Sequence, residues 1–234
     1  MVSRSRTPLV IAAVLVVVVV AGLLAVVLTR GASDDTSSSA STSTTATTTA
    51  ASTDTASTGD PGPVPSDLVY GAVEVSGQPL PEFTGEETDP AIGMAAPAVA
   101  GTTYAGEPVE IVPGQGGPMM VVFLAHWCPH CNAEIPVLNE WRDSGAIPAD
   151  LRIVGVSTSV TDQRPNFPPA QWLADRAWTW PALADDETSA ALAAYGGTGF
   201  PYFVVIGADG TVRARNAGEL PIDQLTNLVA TALA

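Results

Sequence analysis

Residues 119–136 read MMVVFLAHWCPHCNAEIP. The first seven form an unbroken apolar run of strand length with β-branched content, which predicts a central strand buried on both faces. Cys128 and Cys131 follow at once. Beyond them Ile135, Leu138 and Trp141 recur at three-residue spacing with polar residues between, and Gly145 is a stop signal, so a helix is predicted over residues 128–144. Pro136 inside it predicts a kink. A buried strand thus delivers two cysteines to the first turn of a helix.

That placement has chemical consequences. The unpaired N–H groups and macrodipole at a helix N-terminus favour negative charge on the first sulfur, so Cys128 reads as the nucleophile. A thiolate there attacks a disulfide, and Cys131, deeper in the helix, resolves the mixed disulfide by attacking Cys128. The cycle needs no cofactor. His130, between the two, can donate to the sulfur or place positive charge beside it, which favours the reduced state and makes a stronger oxidant. His126 reads as an ordinary solvated histidine. As a purely structural disulfide the pair would close a very short loop and constrain the unfolded chain little. Zinc would need four ligands from one short segment, because the chain holds two Cys and two His in all. Covalent haem attachment requires His after the second cysteine, where Asn132 stands.

Downstream, residues 151–157 predict a second buried strand, and Pro168 and Pro169 open a short helix reaching residue 176. Residues 180–183 add an apolar stretch and residues 188–195 an Ala-rich helix. Residues 202–206 predict a strand, Asp209-Gly210 a hairpin turn, residues 211–215 its partner, and residues 222–233 a terminal amphipathic helix. The sum is an α/β arrangement with a mixed sheet flanked by helices.

Upstream the signal weakens. Residues 66–117 are rich in Pro and Gly, with apolar patches at 68–75 and 109–112, and are expected to cap or extend the main sheet. Residues 31–65 are dominated by Ser, Thr, Ala and Asp and lack the periodicity of a core, which predicts a disordered stalk. Residues 9–28 are twenty consecutive residues without a charge, about the length that crosses a bilayer core as helix. The run is longer than a signal-peptide h-region and ends without a small-residue cleavage site, so an uncleaved anchor is expected. The divisions are therefore 1–30 as cytoplasmic N-terminus and transmembrane anchor, 31–65 as stalk, and 66–234 as a folded domain outside the cytoplasm.

All nine basic residues are Arg and three of them fall in the first 30 residues, leaving six against 24 acidic residues in the rest of the chain. Such a body is repelled by polyanions, which excludes nucleic acid as a partner.

The segment Trp127-Cys128-Pro129-His130-Cys131, with Pro136 five residues on, resembles the active-site helix of thioredoxin-fold proteins. Cys128-x-x-Cys131-x-x-Glu134-x-Pro136, preceded by a strand and by Ile92-Gly93-Met94-Ala95-Ala96-Pro97, is similar to the membrane-anchored TlpA/ResA-like, redoxin group of thiol-disulfide oxidoreductases. The resemblance covers roughly residues 90–234. It implies a thioredoxin-like fold, exported protein thiols or disulfides as partners, and a membrane redox partner that recycles the dithiol. It implies that Phe200-Pro201 is a cis bond facing the dithiol, so that Pro201 presents an extended edge to substrate, and that Glu134 is a carboxylate near the dithiol that tunes it. A buried Asp that thioredoxin carries six residues before its first cysteine is replaced here by Val122, and the single-cysteine peroxidase pattern is absent. The Pro-His dipeptide resembles that of oxidants, Glu134 and the anchor resemble the reductant group, and the dipeptide tips the expectation towards oxidation. A different class of function also fits a thioredoxin-like domain: a binding module for exported clients with a vestigial dithiol.

Overall fold

The computed structural model describes residues 68–234. The apolar run of residues 9–28 and the Ser/Thr-rich residues 31–65 lie outside the described residues. Among the described residues no helix is long and apolar enough to cross a membrane.

The elements are β1 (Glu74–Ser76), β2 (Ala98–Thr102), β3 (Pro108–Ile111), β4 (Met119–Leu124), α1 (Pro129–Asp143), β5 (Arg152–Ser157), α2 (Pro169–Asp175), β6 (Ala182–Ala184), α3 (Ala190–Ala194), β7 (Tyr202–Ile206), β8 (Val212–Ala217) and α4 (Ile222–Leu233). Five strands form one sheet in the order β6-β5-β4-β7-β8. β5 runs parallel to both β4 and β6, whereas β7 is antiparallel to both β4 and β8, so the sheet is mixed as expected.

β4 lies at the centre, and every one of its residues is buried. Alternate side chains of a strand point to opposite faces, and β4 divides its residues accordingly. Met120, Val122 and Leu124 join Ile135, Leu138 and Trp141 of α1, Trp172 of α2 and Leu225 and Val229 of α4 on one face. Met119, Val121 and Phe123 join Val99, Val109 and Ile111 on the other, together with Tyr195 and Tyr202. That second face is closed by β2 and β3, which form an antiparallel sheet of their own with the exposed β1. The region upstream of β4 therefore caps the main sheet and does not extend it, apart from a single bridge between Ala95 and Thr211.

This cap is pinned by an ion pair. The Arg215 side chain, on β8, is fully buried and pairs with Asp89 through two of its nitrogens. Arg215 also donates to the Pro81 carbonyl at 2.8 Å and lies over the Phe83 ring. The guanidinium holds the Asp89 carboxyl below the usual carboxylate range, the hydrogen bonds outweighing burial.

α1 starts one residue later than the spacing suggests, because Cys128 is its N-cap in extended conformation and Pro129 takes the first helical position. Pro suits that position, where its missing N–H has no helical partner. The helix continues through Pro136 to Asp143. Gly145, at φ +73°, ends it in the left-handed conformation that glycine adopts freely.

Candidate active site

β4 ends at Leu124, and a tight turn carries the chain into α1. The Cys128 N–H donates to the Ala125 carbonyl at 3.0 Å. Asn132, one turn along, returns its side-chain amide to the Cys128 and His126 carbonyls at 2.8 and 3.2 Å. The turn is thus tied into the first turn of the helix, which fixes where Cys128 sits.

Both cysteines are free thiols. Cys128 keeps 5% of its surface and Cys131 none. The two sulfurs are therefore unequal: one lies at the rim and the other beneath it. Burial pushes the Cys131 thiol up, helped by Cys128 and by the charge of Glu134, against a hydrogen bond from the Ala125 N–H at 3.5 Å.

The opposite wall comes from the loop before β7. Phe200-Pro201 is a cis peptide, as the resemblance implies, and the Cys128 thiol points at the Phe200 carbonyl at 3.8 Å. The Phe200 ring meets the edge of Trp127 at 5.9 Å. Trp127 is held in turn by donating its indole N–H to the Ser159 carbonyl at 2.7 Å, and the Arg164 guanidinium covers its ring at 4.9 Å.

Glu134 is buried, with 1% of its surface exposed. One carboxylate oxygen accepts the Leu220 N–H at 3.0 Å, and the other has no partner. Burial raises its carboxyl, the Glu219 charge adds to the rise and the Leu220 bond opposes it, so that it is pushed up to about 7. Val122, the position at which thioredoxin carries its buried acid, lies in the apolar core beside α1. The buried acid of this site comes from the helix instead of the strand.

His130 is 65% exposed, and its Nδ1 lies 2.5 Å from Oε1 of Glu219, which is 45% exposed. Its hydrogen-bonding partner is this carboxylate and not the sulfur, contrary to what the sequence suggests. Glu219 is the residue that sequence reasoning missed, because 89 positions separate it from His130.

Contrary to the solvated histidine expected from the sequence, His126 is fully buried. Its Nδ1 lies 2.7 Å from the Pro165 carbonyl, and its Nε2 accepts the Thr161 N–H at 3.3 Å. A backbone N–H can only donate, so Nε2 is the acceptor and Nδ1 carries the hydrogen. Burial lowers the imidazole below its usual range. The Asn166 amide adds a bond to the His126 carbonyl at 2.8 Å, so this residue ties the loop over residues 158–167 to the turn that carries the cysteines.

The sequence-predicted residues Cys128, Cys131, Glu134 and Pro201 come together at one end of β4, with His130 at the rim. Among the described residues no group of three or more His, Cys, Asp and Glu could hold a metal ion.

A model of the AhpC/TSA family matches residues 92–215, a stretch that includes the two cysteines and Pro201 and ends before Glu219. The thiol:disulfide interchange protein DsbE homolog of Paracoccus denitrificans is 31% identical over 139 residues, which cover 58% of this chain and 72% of that protein. The crystal structure of a thiol:disulfide interchange protein of the thioredoxin family from Chlorobium tepidum superposes with a TM-score of 0.50 at 26% identity, covering 61% of this chain and 97% of the other.

Proposed function

This chain belongs to the AhpC/TSA family and is a thiol-disulfide oxidoreductase, and from that we propose that it exchanges disulfides with exported proteins through Cys128 and Cys131. The single observation that carries the assignment of roles is the pairing of a rim sulfur, 3.8 Å from the Phe200 carbonyl, with a second sulfur that has no exposed surface.

In the reducing direction the Cys128 thiolate attacks a substrate disulfide. The substrate S–S bond breaks, a Cys128–substrate disulfide forms, and the released substrate sulfur takes a proton. Cys131 then loses its proton and attacks the Cys128 sulfur, which frees the second substrate thiol and leaves a Cys128–Cys131 disulfide. Two electrons pass from the dithiol to the substrate, and the reverse sequence oxidises a substrate dithiol. Cys131 is hard to deprotonate because it is buried, and Glu134, which titrates near neutrality beside it, is the group suited to take and return that proton. The extended segment around Phe200 and Pro201 serves as the edge against which a substrate peptide lies, its carbonyl aimed at the attacking sulfur.

The same reading places the reaction outside the cytoplasm. Residues 9–28 anchor the chain in the membrane, residues 31–65 hold the catalytic domain away from it, and a membrane redox partner restores the dithiol after each cycle. What supports this is the length and apolarity of the first segment and the composition of the second.

The deciding experiment is the reduction potential of the purified chain, equilibrated in glutathione buffers and read by thiol alkylation. A reversible two-electron couple that disappears in Cys128→Ser supports exchange chemistry. Absence of any couple replaces it with a role in holding exported clients. Alkylation of intact cells by a membrane-impermeant thiol reagent tests the location, and labelling of Cys128 only after lysis would refute it.

A further inference from the structure

The loop between β8 and α4 touches three parts of the site within three residues. The Gly218 N–H donates to the Pro201 carbonyl at 2.8 Å, Glu219 Oε1 lies 2.5 Å from His130 Nδ1, and the Leu220 N–H donates to Glu134 at 3.0 Å. Two of these contacts use the backbone and would survive most substitutions. The third depends on the Glu219 side chain alone.

We infer that Glu219 is a positioning residue that sets the potential of the dithiol: by engaging His130 it withholds the imidazole from Cys128 and makes the protein a reductant of substrate disulfides. The inference rests on the exchange chemistry proposed above and specifies its direction.

Any interaction that stabilises the reduced dithiol makes the disulfide couple more oxidising, and any that removes such an interaction makes it more reducing. An imidazole between two cysteines at a helix N-terminus is placed to stabilise a thiolate, by donating a hydrogen bond or by its charge. In this molecule a carboxylate, which can only accept, takes the Nδ1 hydrogen, and the Cys128 thiol points at the Phe200 carbonyl and not at the imidazole. The charge an imidazolium would present to the sulfur is balanced at 2.5 Å by Glu219. The lost hydrogen bond and the balanced charge both act through His130, and both destabilise the reduced state, the direction of a reductant. Because both partners are largely exposed, their pairing adds little to the stability of the fold. Its effect is therefore readable as chemistry without loss of structure.

Electrons balance in this direction without further reagents at the site. The substrate disulfide gains two electrons, the dithiol loses two, and a membrane dithiol donor returns them by the same exchange.

The test is the glutathione equilibrium of the full chain and of Glu219→Gln, Glu219→Ala, His130→Ala and the double variant His130→Ala/Glu219→Gln. Glu219→Gln and Glu219→Ala are expected to shift the equilibrium about tenfold towards the dithiol, a potential about 30 mV more positive. The double variant is expected to match His130→Ala, because without the imidazole there is nothing for Glu219 to withhold. An unchanged potential in Glu219→Gln, or a rise that persists in the double variant, overturns the inference and leaves the exchange reading intact. A wild-type chain with no reversible couple defeats the exchange reading itself.

Discussion

The backbone N–H of Leu220 reaches across 86 positions of sequence to one oxygen of the Glu134 carboxylate, and the other oxygen is buried without a partner. A carboxyl held this way prefers to be neutral. Its pKa stands at about 7 in the folded chain, above the ordinary 4.5. Below about 4.5 it is protonated in both folded and unfolded chains and does not affect stability. As pH rises the unfolded chain ionises first, so stability falls between the two values, and above about 7 the loss is constant at roughly 3 kcal/mol. Glu134→Gln removes this slope. Urea midpoints of both proteins between pH 4 and 8 are expected to diverge with rising pH in favour of the variant, and a constant difference would refute the account.

Cys131→Ala is expected to accumulate substrate proteins joined to Cys128, since attack survives and resolution does not. Adducts should appear on non-reducing gels, vanish with reductant and be absent from the Cys128→Ser/Cys131→Ala double variant. A gel without adducts from the single variant would count against the assigned roles.

Asp89→Ala leaves the Arg215 guanidinium buried without its carboxylate, which is expected to cost roughly 3 kcal/mol. Arg215→Met removes the charge itself and is expected to cost less. Because Arg215 holds the Asp89 carboxyl below its usual range, the pair's contribution is present above the ordinary carboxylate pKa and is lost as pH falls through the lowered one. Denaturant titrations at neutral and acid pH should therefore show the gap between wild type and Asp89→Ala closing in acid.

His126→Ala removes both ring hydrogen bonds to the loop over residues 158–167. The expected loss is about 2 kcal/mol, a fall in Tm of roughly 4–8 °C. Amide hydrogen exchange should quicken first at Thr161, whose N–H loses its acceptor, and unaltered exchange there would show that the ring does not hold the loop.

The parts of this molecule that were legible in its sequence are those whose burial is written locally. β4, α1, β7 and α4 each carry their periodicity within the segment, and Cys128, Cys131 and Pro201 belong to short motifs. β2 was not legible: its residues, Ala-Val-Ala-Gly-Thr, have little strand preference, and they form a strand because β1 and β3 pair with them on either side. His126 and Glu219 failed for a related reason. Nothing beside His126 foretells a loop 35 to 40 residues later closing over its ring. Nothing beside His130 foretells a carboxylate from the loop between β8 and α4. Glu134 was half legible, since helical spacing sets it one turn past Cys131, while its burial depends on Leu220.

β4 and β7 are antiparallel neighbours in the middle of the sheet, with Phe123 opposite Tyr202. The dithiol follows the end of one strand and the cis-proline precedes the start of the other, so each holds half of the machinery. A newly made chain that has paired only β4 with β5 has its cysteines but no edge to guide a partner onto them. The β4–β7 pairing is therefore what sets the Phe200-Pro201 segment against Cys128, and the two halves of the site come together only when these two strands do.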